Sequence, residues 1–211
     1  MTIRLNLIAT RSLLLGIVCL WLLSTSAVGQ TVPSDTLIAA LRDGGHVIVM
    51  RHAASPRAVP SKETANPDNT TPERQLDAAG RESAKAMGKA LRDLKIPVGD
   101  VLTSPTYRAR ETAKLAEWAN AKTAPELGDG GANMQAAGEA ATKWLQKQVT
   151  QFPTGTNTIL VTHMPNLSRA FPKDSSGVAD GEALIFASDG AGGAKLVSRV
   201  KIEQWPSWVP K

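Results

Sequence analysis

"VIVMRHAASPR", residues 47–57, opens as a run of apolar, mostly β-branched side chains and turns at once to an arginine and a histidine. An apolar run this short, bounded by polar residues, fits a strand buried on both faces. The question it raises is why such a strand would deliver Arg51 and His52 side by side at its end. They are either ordinary loop polarity or the floor of an anion-handling site, and the rest of the chain decides between them.

Working outward, helix-like and strand-like stretches alternate. Thr36 to Arg42 reads as a short amphipathic helix stopped by Gly44-Gly45, and the strand His46 to Arg51 follows. Residues 55–74, SPRAVPSKETANPDNTTPER, are rich in turn formers and nearly free of large apolar side chains, so no packed element is expected there. A loop of that length inside a compact domain is uncommon unless it covers a site. From Asp77 to Leu94, Ala84, Met87, Leu91 and Leu94 recur at steps of three and four, which predicts a helix packed along one face.

A second strand is expected at Asp100 to Thr103, then a helix from about Tyr107 to Ala119. Residues 123–133 are glycine-rich and read as irregular. A further helix is expected from about Gln135 to Gln151, and Thr158 to Thr162 is a clean buried strand ending in His163. Ala183 to Ala187 and Lys195 to Ile202 read as a hairpin through residues 189–193. The alternation implies an α/β three-layer sandwich, a mostly parallel sheet with helices on both faces. In such sheets ligands bind at the carboxyl ends of the strands. Three strands end in Arg51-His52, in residues 104–108 and in His163, so the basic side chains gather at one edge.

The chain has 211 residues and a formal net charge of +5. Arg4 and Arg11 are the only charges up to Gly29, and an apolar run from Leu13 to Leu23 ends before the small residues Ala27 and Gly29. This pattern predicts a signal peptide over 1–29, cleaved near Gly29, followed by a single domain over 30–211; an uncleaved anchor is the alternative. Cleavage removes two basic residues, lowering the charge to +3, and takes away Cys19, the only cysteine. Disulfides and thiolate metal sites are then excluded from the mature domain. Basic clusters interleaved with aromatics are lacking, which argues against nucleic-acid binding.

Four segments resemble one family. "VMRHA" resembles the Arg-His-Gly signature of the histidine phosphatase superfamily, the phosphoglycerate-mutase-like fold. "LTSPTYRARETAKLA" (102–116) resembles its second motif, a serine-proline turn followed by the phosphate-pocket arginine. "LVTHMPNLS" (160–168) resembles the third, with His163 and the His-x-Pro-Asn pattern, and "RQLDAAGRESAKAMGKAL" (74–91) resembles the segment between the first two. The resemblance spans nearly all of residues 45–203. It implies that His52 is the nucleophile, that Arg51 and Arg108 hold phosphoryl oxygens, and that His163 completes the pocket. Arg110 is the competitor for the Arg108 role.

The chemistry asks for the same residue types. A neutral imidazole can attack phosphorus and form a phosphohistidine that water hydrolyses, and guanidinium forks match phosphate oxygens. Positioning and charge dominate phosphoryl transfer, so neither a metal nor another cofactor is required. His46 lies six residues before His52, roughly 20 Å away on an extended strand, and is read as structural.

Three departures stand out. Ala53 replaces the signature glycine, a tolerable change if the backbone there does not need positive φ. Met164 replaces the usual asparagine, and the residue after His163 is not the aspartate of the acid phosphatases and phytases. Ser55 takes the place of a motif threonine or serine and is a candidate phosphate donor. The general acid is open among Glu182, which begins the strand after His163 and is favoured, Glu126, Asp129, or none.

The expected activity is that of a periplasmic or secreted phosphomonoester phosphatase, without stable membrane association after cleavage. The expected partner is a phosphorylated small molecule or glycan, such as a phosphosugar or lipopolysaccharide phosphate. The second hypothesis is a non-catalytic phosphate-binding module with the same pocket.

Overall fold

The computed structural model describes residues 34–130 and 138–210, all within the unit Thr31–Lys211. The expected signal peptide lies outside the described residues, as does the expected start of a helix at Gln135. The elements in order are α1 (Ser34–Asp43), β1 (His46–Arg51), α2 (Ala78–Asp93), β2 (Val98–Thr103), α3 (Tyr107–Leu115) and β3 (Lys122–Thr123). A 3-10 turn (Pro125–Leu127), α4 (Glu139–Gln148), β4 (Asn157–Thr162), α5 (Met164–Ala170), β5 (Ala183–Ser188), β6 (Ala194–Val200) and α6 (Gln204–Ser207) follow. Among the described residues no helix is long and apolar enough to cross a membrane.

The sheet order is β3-β2-β4-β1-β5-β6. The first four strands in that order run parallel, while β5 and β6 form the antiparallel hairpin the sequence predicts. Alternate residues of β1 face opposite layers. Ile48 and Met50 pack with α1, α2 and α3, whereas Val47 and Val49 pack with Leu145 of α4 and Leu167 of α5. Burying each such side chain stabilises by about 1.5–3 kcal/mol, and a one-residue slip would reverse both faces. The core therefore fixes the register that decides which residue stands at the edge.

That register pairs Arg51 with Thr162, and His52 N–H donates to the Thr162 carbonyl at 3.0 Å. The next residues along the two strands, His52 and His163, are thus neighbours. Two glycines bring other parts of the chain close. Gly44, at φ +78°, turns α1 into β1 where a Cβ would lie 2.5 Å from Thr156 N. A Cβ on Gly80 would lie 2.1 Å from the Ala54 carbonyl oxygen, so only glycine lets the first turn of α2 rest on the segment after His52. Asp77 caps that helix, accepting from Gly80 N–H at 2.7 Å.

Two expectations need correction, and two short helices go beyond what the sequence predicts. The helix after Pro105 stops at Leu115, because Glu117 takes φ 62° just beyond the cap at Ala116. Residues 123–133 are not wholly irregular: Lys122 and Thr123 add an edge strand to the last two residues of β2, and the 3-10 turn follows. Helices α5 and α6 carry too few turns for periodicity to reveal them.

Residues 55–74 contain no helix or strand, as expected, yet they are firmly attached to α3. Glu111 accepts from Leu76 N–H and from Asn66 Nδ2, each at 2.8 Å, and Glu73 accepts from Tyr107 N–H at 3.0 Å. Asp68 accepts from Tyr107 Oη and pairs with Lys114. The polar composition that rules out an apolar core supplies these contacts instead.

Candidate active site

Three side chains meet beyond the ends of β1, β2 and β4. His52, Arg108 and His163 are each at most 5% exposed. Arg108 lies between the two imidazoles. Its Nε donates to His52 Nε2 at 3.2 Å and its NH2 donates to His163 Nδ1 at 3.1 Å. The imidazole centroids are 5.2 Å apart, edge to face.

Because a guanidinium only donates, these contacts fix both tautomers. His52 carries its proton on Nδ1, which donates to the Ala53 carbonyl at 2.7 Å, leaving the Nε2 lone pair facing Arg108. His163 carries its proton on Nε2, which donates to Ser104 Oγ at 2.8 Å. Ser104 in turn donates to Thr106 Oγ1 and accepts from Thr106 N–H, so the serine-proline turn holds the second histidine in place. Burial, together with repulsion from Arg108, Arg51 and Arg74, outweighs the Ala53 hydrogen bond and lowers the His52 pKa from 6.5 to about 3. Burial and Arg108 push His163 in the same direction. Both rings are neutral at ordinary pH.

Arg51 and Glu182 stand differently. Arg51 NH2 pairs with Asp180 Oδ1 at 2.7 Å and NH1 donates to the Val178 carbonyl at 3.2 Å. Its Nε is buried and has no hydrogen-bond partner among the described residues. Glu182, favoured above as general acid, is engaged elsewhere. Its Oε1 accepts from Arg199 Nε at 2.7 Å and its Oε2 from Ala179 N–H at 2.8 Å. Burial raises its pKa, but these two bonds outweigh it and leave the carboxyl below its ordinary value. A carboxylate so held is a poor proton donor, and its bonds tie the start of β5 to β6 and to the preceding loop.

The carboxylate that reaches the cluster is Asp129, paired with Arg108 NH2. Its segment is pinned from below: Thr162 Oγ1 donates to the Leu127 carbonyl at 2.9 Å, and Asn166 Nδ2 donates to the carbonyls of Glu126 and Gly128. Glu126 enters this arrangement through its backbone carbonyl. Ser55 donates to the Gln75 carbonyl at 2.9 Å. Ala53 has no positive φ, and its N–H donates to Thr112 Oγ1, so the missing signature glycine leaves the turn unstrained. Arg110 is exposed and bonds the Pro105 carbonyl, and His46 bonds the Gly44 carbonyl at the other end of β1.

Two charged residues escaped the sequence reading. Arg74 donates to the carbonyls of Pro56 and Ser55. Burial and Arg108 lower its pKa, opposed by Asp129 and Asp180. The signal for Arg74 was its place at the head of the family-like segment 74–91. Asp180 carried no comparable signal. Among the described residues no group of three His, Cys, Asp or Glu side chains is arranged to hold a metal ion.

Comparison with known proteins bears on this geometry. A family model described as histidine phosphatase superfamily (branch 1) matches residues 47–128. A structure of the protein histidine phosphatase SixA complexed with tungstate superposes with a TM-score of 0.54 at 18% identity, covering 75% of this chain and 98% of that one. Bacillus stearothermophilus YhfR gives 0.52 at 15%, covering 72% and 95%. A phosphoserine phosphatase variant from Entamoeba histolytica in complex with phosphoserine gives 0.50 at 12%, covering 75% and 98%. The fold is therefore the phosphoglycerate-mutase-like one. No curated protein sequence matches the chain.

Proposed function

Taking as premise the match of residues 47–128 to the histidine phosphatase superfamily (branch 1), we propose that the protein is a metal-independent phosphomonoester phosphatase acting through a phosphohistidine on His52. One observation carries the reading: His52 Nε2 is an unprotonated nitrogen 3.2 Å from the Arg108 guanidinium. A phosphoryl group drawn to that guanidinium comes up against the lone pair that would attack it.

In the first step Nε2 forms a bond to phosphorus as the ester P–O bond breaks. Asp129, displaced from Arg108 by the phosphoryl oxygens, takes up a proton from solvent and passes it to the leaving oxygen. Its carboxylate then takes a proton from water attacking phosphorus, the P–N bond breaks, and phosphate leaves. Arg108, Arg51 through its unpartnered Nε, and Arg74 supply positive charge that needs no reorganisation as charge shifts on the oxygens. The leader-like residues 1–29 support an extracytoplasmic substrate, a phosphosugar, a lipopolysaccharide phosphate or another small phosphomonoester.

The test is hydrolysis of para-nitrophenyl phosphate by the domain in excess EDTA, wild type against His52→Ala. Turnover that survives EDTA and is lost in the variant supports the proposal. Phosphate binding without turnover would favour the non-catalytic module, and turnover unchanged in His52→Ala would overturn the site.

A further inference from the structure

Arg108 is enclosed, its side chain 6% exposed, whereas the Arg51–Asp180 pair is open to the rim, with side chains 26% and 34% exposed. The loop carrying Asp180 is fastened to the nucleophile's own strand end. Gly181 N–H donates to the His52 carbonyl at 2.9 Å, and Arg51 N–H donates to the Glu182 carbonyl at 3.1 Å. Val178 accepts from the Arg51 guanidinium, and Ala179 N–H is held by the buried Glu182. The residues on both sides of Asp180 are thus anchored, and its carboxylate is held at the rim by the ion pair to Arg51.

We propose that Asp180 selects the substrate, favouring phosphomonoesters whose leaving group is cationic or neutral near phosphorus over those that carry a second phosphate or a carboxylate there. The inference rests on the phosphatase reading above. Arg51 meets Asp180 and the Val178 carbonyl through its terminal nitrogens, so the phosphoryl group is left Nε, and Asp180 stays beside it as a fixed negative charge. Among the described residues Arg51, Arg74 and Arg108 face Asp129 and Asp180, one positive charge in excess. A phosphoryl dianion surpasses that excess, and matches it once Asp129 carries its proton. A further anionic group meets repulsion from Asp180, whereas an ammonium group is attracted to it.

The experiment compares kcat/KM for three small esters of different charge: phosphoethanolamine, glycerol phosphate and phosphoglycerate, with para-nitrophenyl phosphate as reference. In the wild type the values fall in that order, and the spread narrows at high salt because the rim is open to solvent. Asp180→Asn raises phosphoglycerate relative to glycerol phosphate about tenfold, and Asp180→Glu keeps the wild-type order. Equal ratios in wild type and Asp180→Asn, with para-nitrophenyl phosphate still hydrolysed in a His52-dependent way, would overturn the selection by Asp180 and leave the phosphatase reading standing. A wild type that prefers phosphoglycerate would do the same without any variant. If no ester is hydrolysed, para-nitrophenyl phosphate included, both readings fall.

Discussion

The site has two walls, and they handle the same charges in opposite ways. On the parallel side, Arg108 is buried between two neutral imidazoles and its acidic partner Asp129 sits on a segment pinned through backbone carbonyls. On the antiparallel side, Arg51 is half-exposed and shared with Asp180 and a carbonyl, while the buried carboxylate, Glu182, is bound to Arg199 and serves the sheet. A carboxylate near a reactive centre does not become a catalyst by proximity. Glu182 and Asp129 are each paired with an arginine, and they differ in which one: Arg199 belongs to the hairpin, whereas Arg108 lies between the two imidazoles.

The largest expected effect lies at the junction of the walls. His52→Ala lowers turnover of para-nitrophenyl phosphate by roughly 10⁴-fold or more, since it removes the attacking nitrogen. Next, Arg108→Ala lowers kcat/KM by roughly 10²–10³, whereas Arg51→Ala lowers it about tenfold, because only part of its guanidinium is available to the substrate. Comparable losses in the two arginine variants would erase the asymmetry.

The carboxylates sharpen the contrast further. Asp129→Asn reduces kcat by about 10² on alkyl phosphates and far less on para-nitrophenyl phosphate, whose leaving group needs no proton. Glu182→Gln keeps turnover close to wild type but costs about 1–3 kcal/mol of stability in urea unfolding, since Arg199 loses a charged partner. The reverse pattern would restore Glu182 as the acid.

A smaller effect follows from pH. The folded pKa of His52, about 3, lies below its ordinary 6.5, so between these values the unfolded chain binds a proton that the folded chain refuses. Stability is therefore full above about pH 6.5 and declines by about 1.4 kcal/mol per pH unit below it for this group, with His163 adding in the same direction. Denaturation midpoints at pH 7 and pH 5 check the sign, and His52→Gln should flatten the slope. A wild type more stable at pH 5 would contradict the neutral pair.

Much of this was legible in the sequence. The uninterrupted apolar runs before Arg51-His52 and before His163 marked both central strands, and parallel strands bring their ends to one edge whatever the details between them. Helix α2 was visible because sixteen residues allow several turns of periodicity. Helix α5, with seven, does not. Arg74, Asp129 and Asp180 lie in connections whose path is set by carbonyls and caps rather than by an apolar pattern. Their convergence on the arginines therefore had no periodic trace. The partner of Glu182 was hidden for the complementary reason: the position of Glu182 just before β5 was clear, but Arg199 on β6 belongs to the pairing of two strands.

The most direct test of the central claim is to mix the protein with a phosphoryl donor, quench under alkaline conditions that preserve phosphohistidine, and measure the mass of the peptide containing His52. The expected result is a gain of one phosphoryl group on that peptide, absent in His52→Ala and lost after brief acid treatment. Rapid hydrolysis of the donor with no such adduct on His52 at any time during turnover would contradict it.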